Sequence, residues 1–244
     1  MSELSDRTGL HDLTHEYDGE LLSGVYAGPP GRATVVLLHG AGFGSEERLR
    51  PLVAEFAARG CRALAFDFSG HGRSTGALAE LSLRRRFEQA VAVTDAHAPA
   101  PDPLLLVGFS MSGQTVADLA GHYGERVAAV GLCAPAVYPR EAWDVPFGEG
   151  DSRFSEIIRT PDGWRDSAAL EVLRKYEGRA VLAVPGTDTV IPAQVTRAVQ
   201  EALAARARFT RLELPDAEHW VGVWLHDHAE DRRAFVDALL TGLG

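Results

Sequence analysis

Short apolar runs alternate with longer amphipathic stretches along most of the chain. The runs are bounded by glycine, proline or polar residues, as is typical of strands buried on both faces. They lie at 34–38, 63–66, 104–107, 127–133 and 180–184, and a further strand is predicted at 209–214. Helical periodicity predicts helices at 46–59, 81–94, 114–123, 194–205 and 229–240. The alternation predicts an α/β fold, with a mostly parallel central sheet and helices on both faces.

Two regions depart from this alternation. Residues 1–33 hold closely spaced turn residues around short apolar pieces, which predicts one or two antiparallel hairpins. Residues 134–178 show neither a strand nor a single clean helix, are rich in aromatic residues, and are long for a plain connection. They either pack on the sheet as an ordinary excursion or form a small lid, with Trp143, Phe147 and Trp164 lining a substrate pocket. We favour the lid, within a single domain over residues 1–244.

Composition and charge narrow the class of protein. At 244 residues the chain is long enough for one sizeable core, and its net charge of −10 argues against binding to nucleic acid or to an anionic membrane. Residues 1–17 lack the apolar stretch of a signal peptide, and no apolar run approaches the ~20 residues of a membrane span. Cys61 and Cys133 fall beside predicted strands, where buried free thiols are favoured over a disulfide. These features predict a cytoplasmic protein.

The strongest chemical signal follows the strand at 104–107. Gly108-Phe109-Ser110 comes at once, and a helical stretch begins shortly afterwards. A serine between a buried strand and a helix lies on a tight turn, with the free N–H groups of the helix N-terminus beside it. This is the arrangement of a nucleophile elbow. Ser112 stands where the usual G-x-S-x-G pattern has its last glycine, and we expect it only to be small enough for the helix to pack.

A nucleophilic serine needs a base and an acid that orients the base. Asp188 and His219 each follow a predicted strand, and functional groups of parallel sheets gather at such strand ends. The order Ser110, Asp188, His219 along the chain is the order expected for an α/β-hydrolase. Asp67 also follows a strand, but it precedes the serine and is the weaker candidate for the acid.

Two further patterns have competing interpretations. The glycine-rich loop 39–45 lacks the Lys-Ser/Thr of a phosphate-binding loop, so it fits better as a backbone N–H donor to an oxyanion, with His39 in a structural role. His226, Asp227 and His228 suggest a metal, but no third partner has suitable spacing, and a solvated polar turn is favoured. We therefore expect no metal and no cofactor.

The ordered motifs together resemble those of the α/β-hydrolase superfamily, from about Thr34 to the C-terminus. They are 39–40, 67–74, 108–113, 188–192 and 217–219. Residues 66–76 are most similar to small cinnamoyl/feruloyl-type esterases and their serine-peptidase-like relatives. The resemblance implies Ser110 as nucleophile, His219 as base and Asp188 as orienting acid. It also implies that the N–H groups of Ala41 and Met111 bind the oxyanion.

Three functions are compatible with these residues. The first is a serine hydrolase that cleaves a small-to-medium carboxylic ester through an acyl-enzyme. The second is a thioesterase or acyltransferase in a biosynthetic pathway, which would use the same triad. The third is a non-catalytic binding protein on a hydrolase fold, which is disfavoured because no triad member is missing. The expected partner is a small-molecule ester or thioester, and the oligomeric state is left open.

Overall fold

The computed structural model describes residues 9–243. In it, the six predicted strands and an N-terminal hairpin form one eight-stranded sheet. The strands are β1 (His11–Tyr17), β2 (Glu20–Ala27), β3 (Thr34–Leu38), β4 (Arg62–Phe66), β5 (Leu104–Phe109), β6 (Val127–Cys133), β7 (Arg179–Pro185) and β8 (Arg208–Leu214). Their order is β1-β2-β4-β3-β5-β6-β7-β8. The pairs β1–β2 and β2–β4 are antiparallel, and every other neighbouring pair is parallel. The predicted mostly parallel sheet and the predicted hairpin are confirmed. Residues 1–8 and 244 of the predicted domain lie outside the described residues.

The helices cover both faces of this sheet. They are α1 (Arg50–Ala58), α2 (Leu83–His97), α3 (Ser112–Tyr123), α4 (Arg153–Ile158), α5 (Ala168–Lys175), α6 (Ala193–Ala204), α7 (Val221–Asp227) and α8 (Ala229–Leu240). The predicted helix 46–59 begins instead as a 3₁₀ turn, Glu46–Leu49, and becomes α-helical only at Arg50, with Pro51 in the first turn. Proline suits that position because the first N–H groups of a helix have no intrahelical partner.

The predicted polar turn around His226 is solvent-exposed, but His226 and Asp227 form the end of helix α7 rather than a turn. Val221 and Leu225 lie one turn apart and are both buried, so the segment has an apolar face. His226 Nδ1 lies 2.8 Å from an oxygen of Asp227, and the His228 ring stacks on Trp224 with 3.5 Å between ring centroids. No cluster of three or more His, Cys, Asp or Glu side chains in residues 9–243 is arranged to hold a metal ion.

The core lies on the two sides of the sheet, as strand β3 illustrates. Val36 and Leu38 face a cluster that includes side chains of α2, α3 and α6. Val35 and Leu37 face a second cluster built with α1 and α8. All four side chains are completely buried, and burying each contributes about 1.5–3 kcal/mol. A strand covered on both faces is apolar at every position, which is why the strand pattern could be recognised in the sequence.

The segment 134–178 contains α4, α5 and two 3₁₀ turns, Arg140–Ala142 and Gly163–Asp166. Backbone hydrogen bonds attach it to the chain near the start of α2: the N–H of Phe147 donates to the carbonyl of Leu81 at 2.7 Å, and the N–H of Arg84 to that of Trp143 at 3.0 Å. Part of the segment therefore packs as ordinary core. Its role as a lid stays a prediction.

Both cysteines, Cys61 and Cys133, are buried and free. Burial raises the pKa of each thiol, so neither is a reactive thiolate at neutral pH. No helix in the described part of the chain has the length and apolar composition needed to cross a bilayer.

Candidate active site

Ser110 lies on the sharp turn between β5 and α3. Its φ of +50° is in the left-handed region, which a residue with a Cβ seldom adopts. The glycines around it permit the turn. A Cβ on Gly108 would lie 2.5 Å from the carbonyl oxygen of Ser112, and a Cβ on Gly113 would lie 2.5 Å from Cβ of Pro135. Position 113 therefore has no room for a side chain, because Gly113 packs closely against Pro135. Position 112, where the usual motif has its glycine, accommodates a serine.

The structure brings Ser110, His219 and Asp188 together at the carboxyl ends of β5, β8 and β7. His219 Nε2 lies 2.9 Å from Ser110 Oγ. His219 Nδ1 lies 3.0 Å from Asp188 Oδ2 and 3.2 Å from its Oδ1. The imidazole is buried, and the Asp188 side chain is only slightly exposed. These residues are far apart in the sequence and meet because parallel strands end at the same edge of the sheet.

Backbone groups hold the Asp188 carboxylate in position. Its Oδ1 accepts hydrogen bonds from the N–H groups of Val190 at 2.8 Å and Ile191 at 3.0 Å. The neighbouring Thr187 donates both its N–H and its hydroxyl to the carbonyl of Ala217, at 3.2 and 3.0 Å. The loop that carries the acid is thus bonded to the loop that carries His219.

The hydrogen-bond chain is suited to proton transfer away from a serine hydroxyl. A carboxylate at Nδ1 stabilises the tautomer with its proton on Nδ1, which leaves Nε2 of His219 free to accept. The Oγ–Nε2 distance is within the range for a general base. Chemically, the arrangement can supply a nucleophilic alkoxide at Ser110 and return the proton to a leaving group.

The two backbone N–H groups assigned to the oxyanion are available. Within residues 9–243, neither Ala41 nor Met111 donates its N–H to another protein group. Gly40 allows the Ala41 loop to approach the nucleophile, because a Cβ at position 40 would lie 3.1 Å from Cβ of Ser110. Both donors therefore belong to chain segments that adjoin the serine.

His39 precedes this loop and has a structural environment. It is buried, its Nε2 accepts the N–H of Phe68 at 3.1 Å, and its Nδ1 donates to the carbonyl of Gly40 at 2.6 Å. Burial lowers the pKa of His39 well below its usual value, so the ring is neutral. Asp67, the alternative acid, accepts the N–H groups of Glu46 at 2.6 Å and Arg73 at 3.1 Å.

A cavity of about 50 Å³ opens beside Ser110. Since one water-sized position takes up roughly 10–15 Å³, the cavity has room for a small acyl group. Its lining is mainly apolar and consists of His39, Gly40, Ala41, Phe43, Gly44, Ser45, Arg48, Leu49, Phe109, Ser110, His219, Trp220, Val221, Gly222 and Val223. Phe43 and Trp220 are 82% and 48% exposed, which is unusual for large apolar side chains. Each belongs to a loop that carries a predicted site residue.

The structure does not bring the predicted pocket residues of segment 134–178 to this cavity. Trp143 lines a separate cleft of about 340 Å³ that also contains Asp118, Phe147 is buried against Phe154, and Trp164 lines a groove beside α6. The walls around Ser110 come instead from the loops after β3 and β8. Large apolar residues next to motif residues, such as Phe43 in the glycine-rich loop and Trp220 after His219, were the sequence signal for them.

Comparisons with known proteins agree with this geometry at the level of family and fold. A family model described as Hydrolase_4, "Serine aminopeptidase, S33", matches residues 29–159, which is more than half of the chain. The search of curated protein sequences found no match to this chain.

Solved structures share the architecture over almost the full length. A thioesterase domain from the curacin biosynthetic pathway is 17% identical, with a TM-score of 0.70 over 95% of this chain and 99% of that domain. Est1E from Butyrivibrio proteoclasticus, solved with ferulic acid bound, is 16% identical, with a TM-score of 0.70 over 93% and 99% of the two chains. An esterase from Pyrococcus furiosus is 19% identical, with a TM-score of 0.67 over 95% and 91%. At these identities the likeness shows the fold.

Proposed function

The chain belongs to the family of α/β-hydrolases described as serine aminopeptidases, and from that premise we propose that it cleaves a small-to-medium carboxylic ester through Ser110, His219 and Asp188. The observation that carries the proposal is the continuous contact from Ser110 Oγ through His219 to Asp188, at 2.9 and 3.0 Å. The shallow apolar cavity beside Ser110 supports a substrate of modest size.

The proposed reaction has two halves. Ser110 Oγ attacks the ester carbonyl as the proton of the serine hydroxyl passes to His219 Nε2. The tetrahedral oxyanion accepts hydrogen bonds from the N–H groups of Ala41 and Met111. The intermediate collapses, the C–O bond to the alcohol breaks, and His219 gives its proton to the departing oxygen. Water then attacks the acyl-enzyme, His219 takes a proton from that water, and Ser110 Oγ regains one as the acid leaves. Asp188 stabilises the imidazolium in both halves, and the scheme needs no cofactor.

We further propose how the substrate lies. The acyl group occupies the small cavity, and the remainder of the molecule extends over the exposed faces of Phe43 and Trp220. Pockets for small molecules are lined mainly by apolar and aromatic side chains, and exposed large apolar residues grouped at one site are typical of binding surfaces. These two aromatic residues take the role that the sequence suggested for Trp143, Phe147 and Trp164.

Thioester hydrolysis is the second candidate. The likeness to a thioesterase domain is as close as that to Est1E with bound ferulic acid, and both have a TM-score of 0.70. The same triad would attack a thioester, and acyl transfer would follow if an alcohol or amine replaced water in the second half. The cytoplasmic location stays a prediction.

A fluorophosphonate probe tests the proposal directly, because it modifies a serine only when that serine is activated. We expect one labelled peptide, containing Ser110, and no labelling or turnover for Ser110→Ala. Ser155→Ala, a change at a half-buried serine outside the cavity, is the matched control and keeps both. A protein that is not labelled, or is labelled elsewhere, is not the serine hydrolase proposed here. Esters and thioesters of graded chain length, with an aminoacyl anilide for comparison, then distinguish the substrate classes.

A further inference from the structure

A buried arginine lies beneath the loop that carries the Ala41 N–H. Arg86 of α2 is 0% exposed, and its guanidinium lies 3.7 Å from the centre of the Phe68 ring. Its Nη2 donates to the carbonyl of His39 at 2.7 Å and lies 2.8 Å from Ser112 Oγ. Among the described residues no carboxylate pairs with Arg86, and its Nε and Nη1 have no hydrogen-bond partner. Burying a cation without a counterion costs free energy of folding. The two contacts of Nη2 therefore suggest that Arg86 has a specific role.

Ser112 completes the arrangement. Its hydroxyl donates to the same carbonyl of His39 at 2.6 Å, so this oxygen accepts two hydrogen bonds. Ser112 is completely buried, begins α3, and directly follows Met111. It therefore links the segment that carries the Met111 N–H to the loop that carries the Ala41 N–H.

The geometry of the peptide unit explains what these bonds orient. The carbonyl of His39 belongs to the peptide unit that leads into Gly40, and the carbonyl of Gly40 belongs to the unit that ends in the N–H of Ala41. Arg86 and Ser112 hold the first carbonyl, and His39 Nδ1 holds the second at 2.6 Å. A trans peptide is planar, with its N–H opposite its C=O, so the bond from His39 Nδ1 fixes the direction of the Ala41 N–H, and the bonds from Arg86 and Ser112 fix the peptide unit that precedes it.

The charge of Arg86 acts in the same direction. Burial lowers the pKa of Arg86 to about 9, which still leaves it positive at neutral pH. A cation at a carbonyl oxygen polarises its peptide unit, which here is the unit between His39 and Gly40 at the start of the oxyanion loop. Burial and the positive charge of Arg86 keep the pKa of His39 low, so its neutral ring donates through Nδ1 and accepts through Nε2.

We propose that Arg86 and Ser112 are positioning residues that hold the Ala41 N–H in register with the Met111 N–H for the oxyanion. The inference rests on the proposed serine-hydrolase function. It assigns Ser112, for which the sequence indicated no chemical role, to the catalytic machinery as a support of the oxyanion donors.

Ser112→Ala and Arg86→Met are the test variants, and Thr115→Val is the control. Thr115 lies on the same helix, is buried, and its hydroxyl has no hydrogen-bond partner, so the control removes a buried hydroxyl without touching the loop. The measurements are kcat and KM for 4-nitrophenyl acetate and the inhibition constant of an aryl trifluoromethyl ketone. Such a ketone forms a tetrahedral adduct with the serine, whose oxygen requires the oxyanion donors.

Loss of a complete oxyanion donor costs roughly 10²–10³ in kcat, and a misplaced donor costs less. We therefore expect Ser112→Ala to lower kcat about tenfold, to weaken ketone binding by a similar factor, and to leave KM nearly unchanged. Arg86→Met should show a larger loss of the same kind. The parallel loss in kcat and ketone affinity at constant KM is a result that a general packing defect would not produce.

Ser112→Ala with wild-type kcat and ketone affinity would overturn the inference, as would an equal loss for Thr115→Val. If Arg86→Met does not fold, Ser112→Ala decides the question alone. A wild-type protein without esterase activity or ketone binding would instead refute the proposed function, and the positioning role with it. An active wild type with an unaffected Ser112→Ala would refute the positioning role only.

Discussion

Replacing Asp188 by asparagine tests how the carboxylate orients His219. Oδ1 of Asp188 accepts the N–H groups of Val190 and Ile191 at 2.8 and 3.0 Å, whereas Oδ2 lies 3.0 Å from His219 Nδ1. An asparagine has the same shape, and the two N–H groups require its oxygen at the Oδ1 position. Its NH₂ group must then face Nδ1 of His219. A donor at Nδ1 favours the tautomer with the proton on Nε2, and that nitrogen can no longer accept the proton of Ser110.

The magnitude follows from this change of tautomer. We expect kcat to fall by about 10⁴, the effect of the same replacement in the serine protease triad, and this equals roughly 5.4 kcal/mol of lost transition-state stabilisation. The free energy of unfolding should change by less than about 2 kcal/mol, because both backbone hydrogen bonds to the side chain are retained.

Single-turnover and steady-state hydrolysis of a 4-nitrophenyl ester, with circular dichroism to confirm folding, provides the assay. Asp216→Asn is the matched control, since Asp216 is an exposed acid four residues before Trp220 in the loop that carries His219. It should retain wild-type kcat. A loss below about tenfold in folded Asp188→Asn would refute the tautomer argument, and a large loss in Asp216→Asn would transfer the orienting role to that residue.

Three further predictions test other parts of the site and its surroundings. Phe43→Ala and Trp220→Ala should lower kcat/KM for a bulky aryl ester about ten- to two-hundredfold more than for an acetate ester, because a lost aromatic contact is worth ~1–3 kcal/mol; parallel losses on both esters would remove these residues from the binding surface. Ala41→Pro deletes the N–H itself and should reduce kcat by roughly 10²–10³ in a variant that remains folded, and unchanged turnover would contradict its role as an oxyanion donor. Burial raises the pKa of Asp118 from 3.8 to about 7, so between these values the folded state keeps a proton that the unfolded state has lost, and stability falls as the pH rises. Asp118→Asn should therefore gain stability over the wild type between pH 4 and pH 7, by at most about 4 kcal/mol, and an equal gain at pH 4 and pH 8 in thermal unfolding would contradict this reasoning.

The strands and the reacting residues could be predicted from the sequence because their signals are local. A strand buried on both faces is apolar at each position, as in β3 and β5. Ser110 directly follows such a strand and Asp188 lies a few residues beyond another, while His219 lies a few residues beyond β8, which is mostly exposed or half-buried. Parallel strands end at one edge, so the chain order and the strand positions were enough to group the three side chains.

The walls of the cavity could not be predicted in the same way. Segment 134–178 has no single periodicity, so its sequence does not say which aromatic side chain turns towards the sheet. Phe147 turned towards Phe154 and became core, and Trp143 lies in a different cleft. The positions of such side chains depend on how the segment folds back on α2, which is a property of the whole molecule.

Arg86 and Ser112 show most clearly what only the tertiary structure decided. In the sequence, Arg86 is one of three consecutive arginines at the start of a helix, where the ordinary expectation is a solvated side chain. Ser112 looks like a small substitute for glycine. Their common partner, the carbonyl of His39, is 47 residues from Arg86 and 73 from Ser112 along the chain. The sequence by itself determined the strands and the reacting groups, because burial and strand ends are local properties. Which polar groups meet beneath the oxyanion loop was decided only when β3, α2 and α3 packed together, because a hydrogen bond depends on distance in space and not on position in the chain.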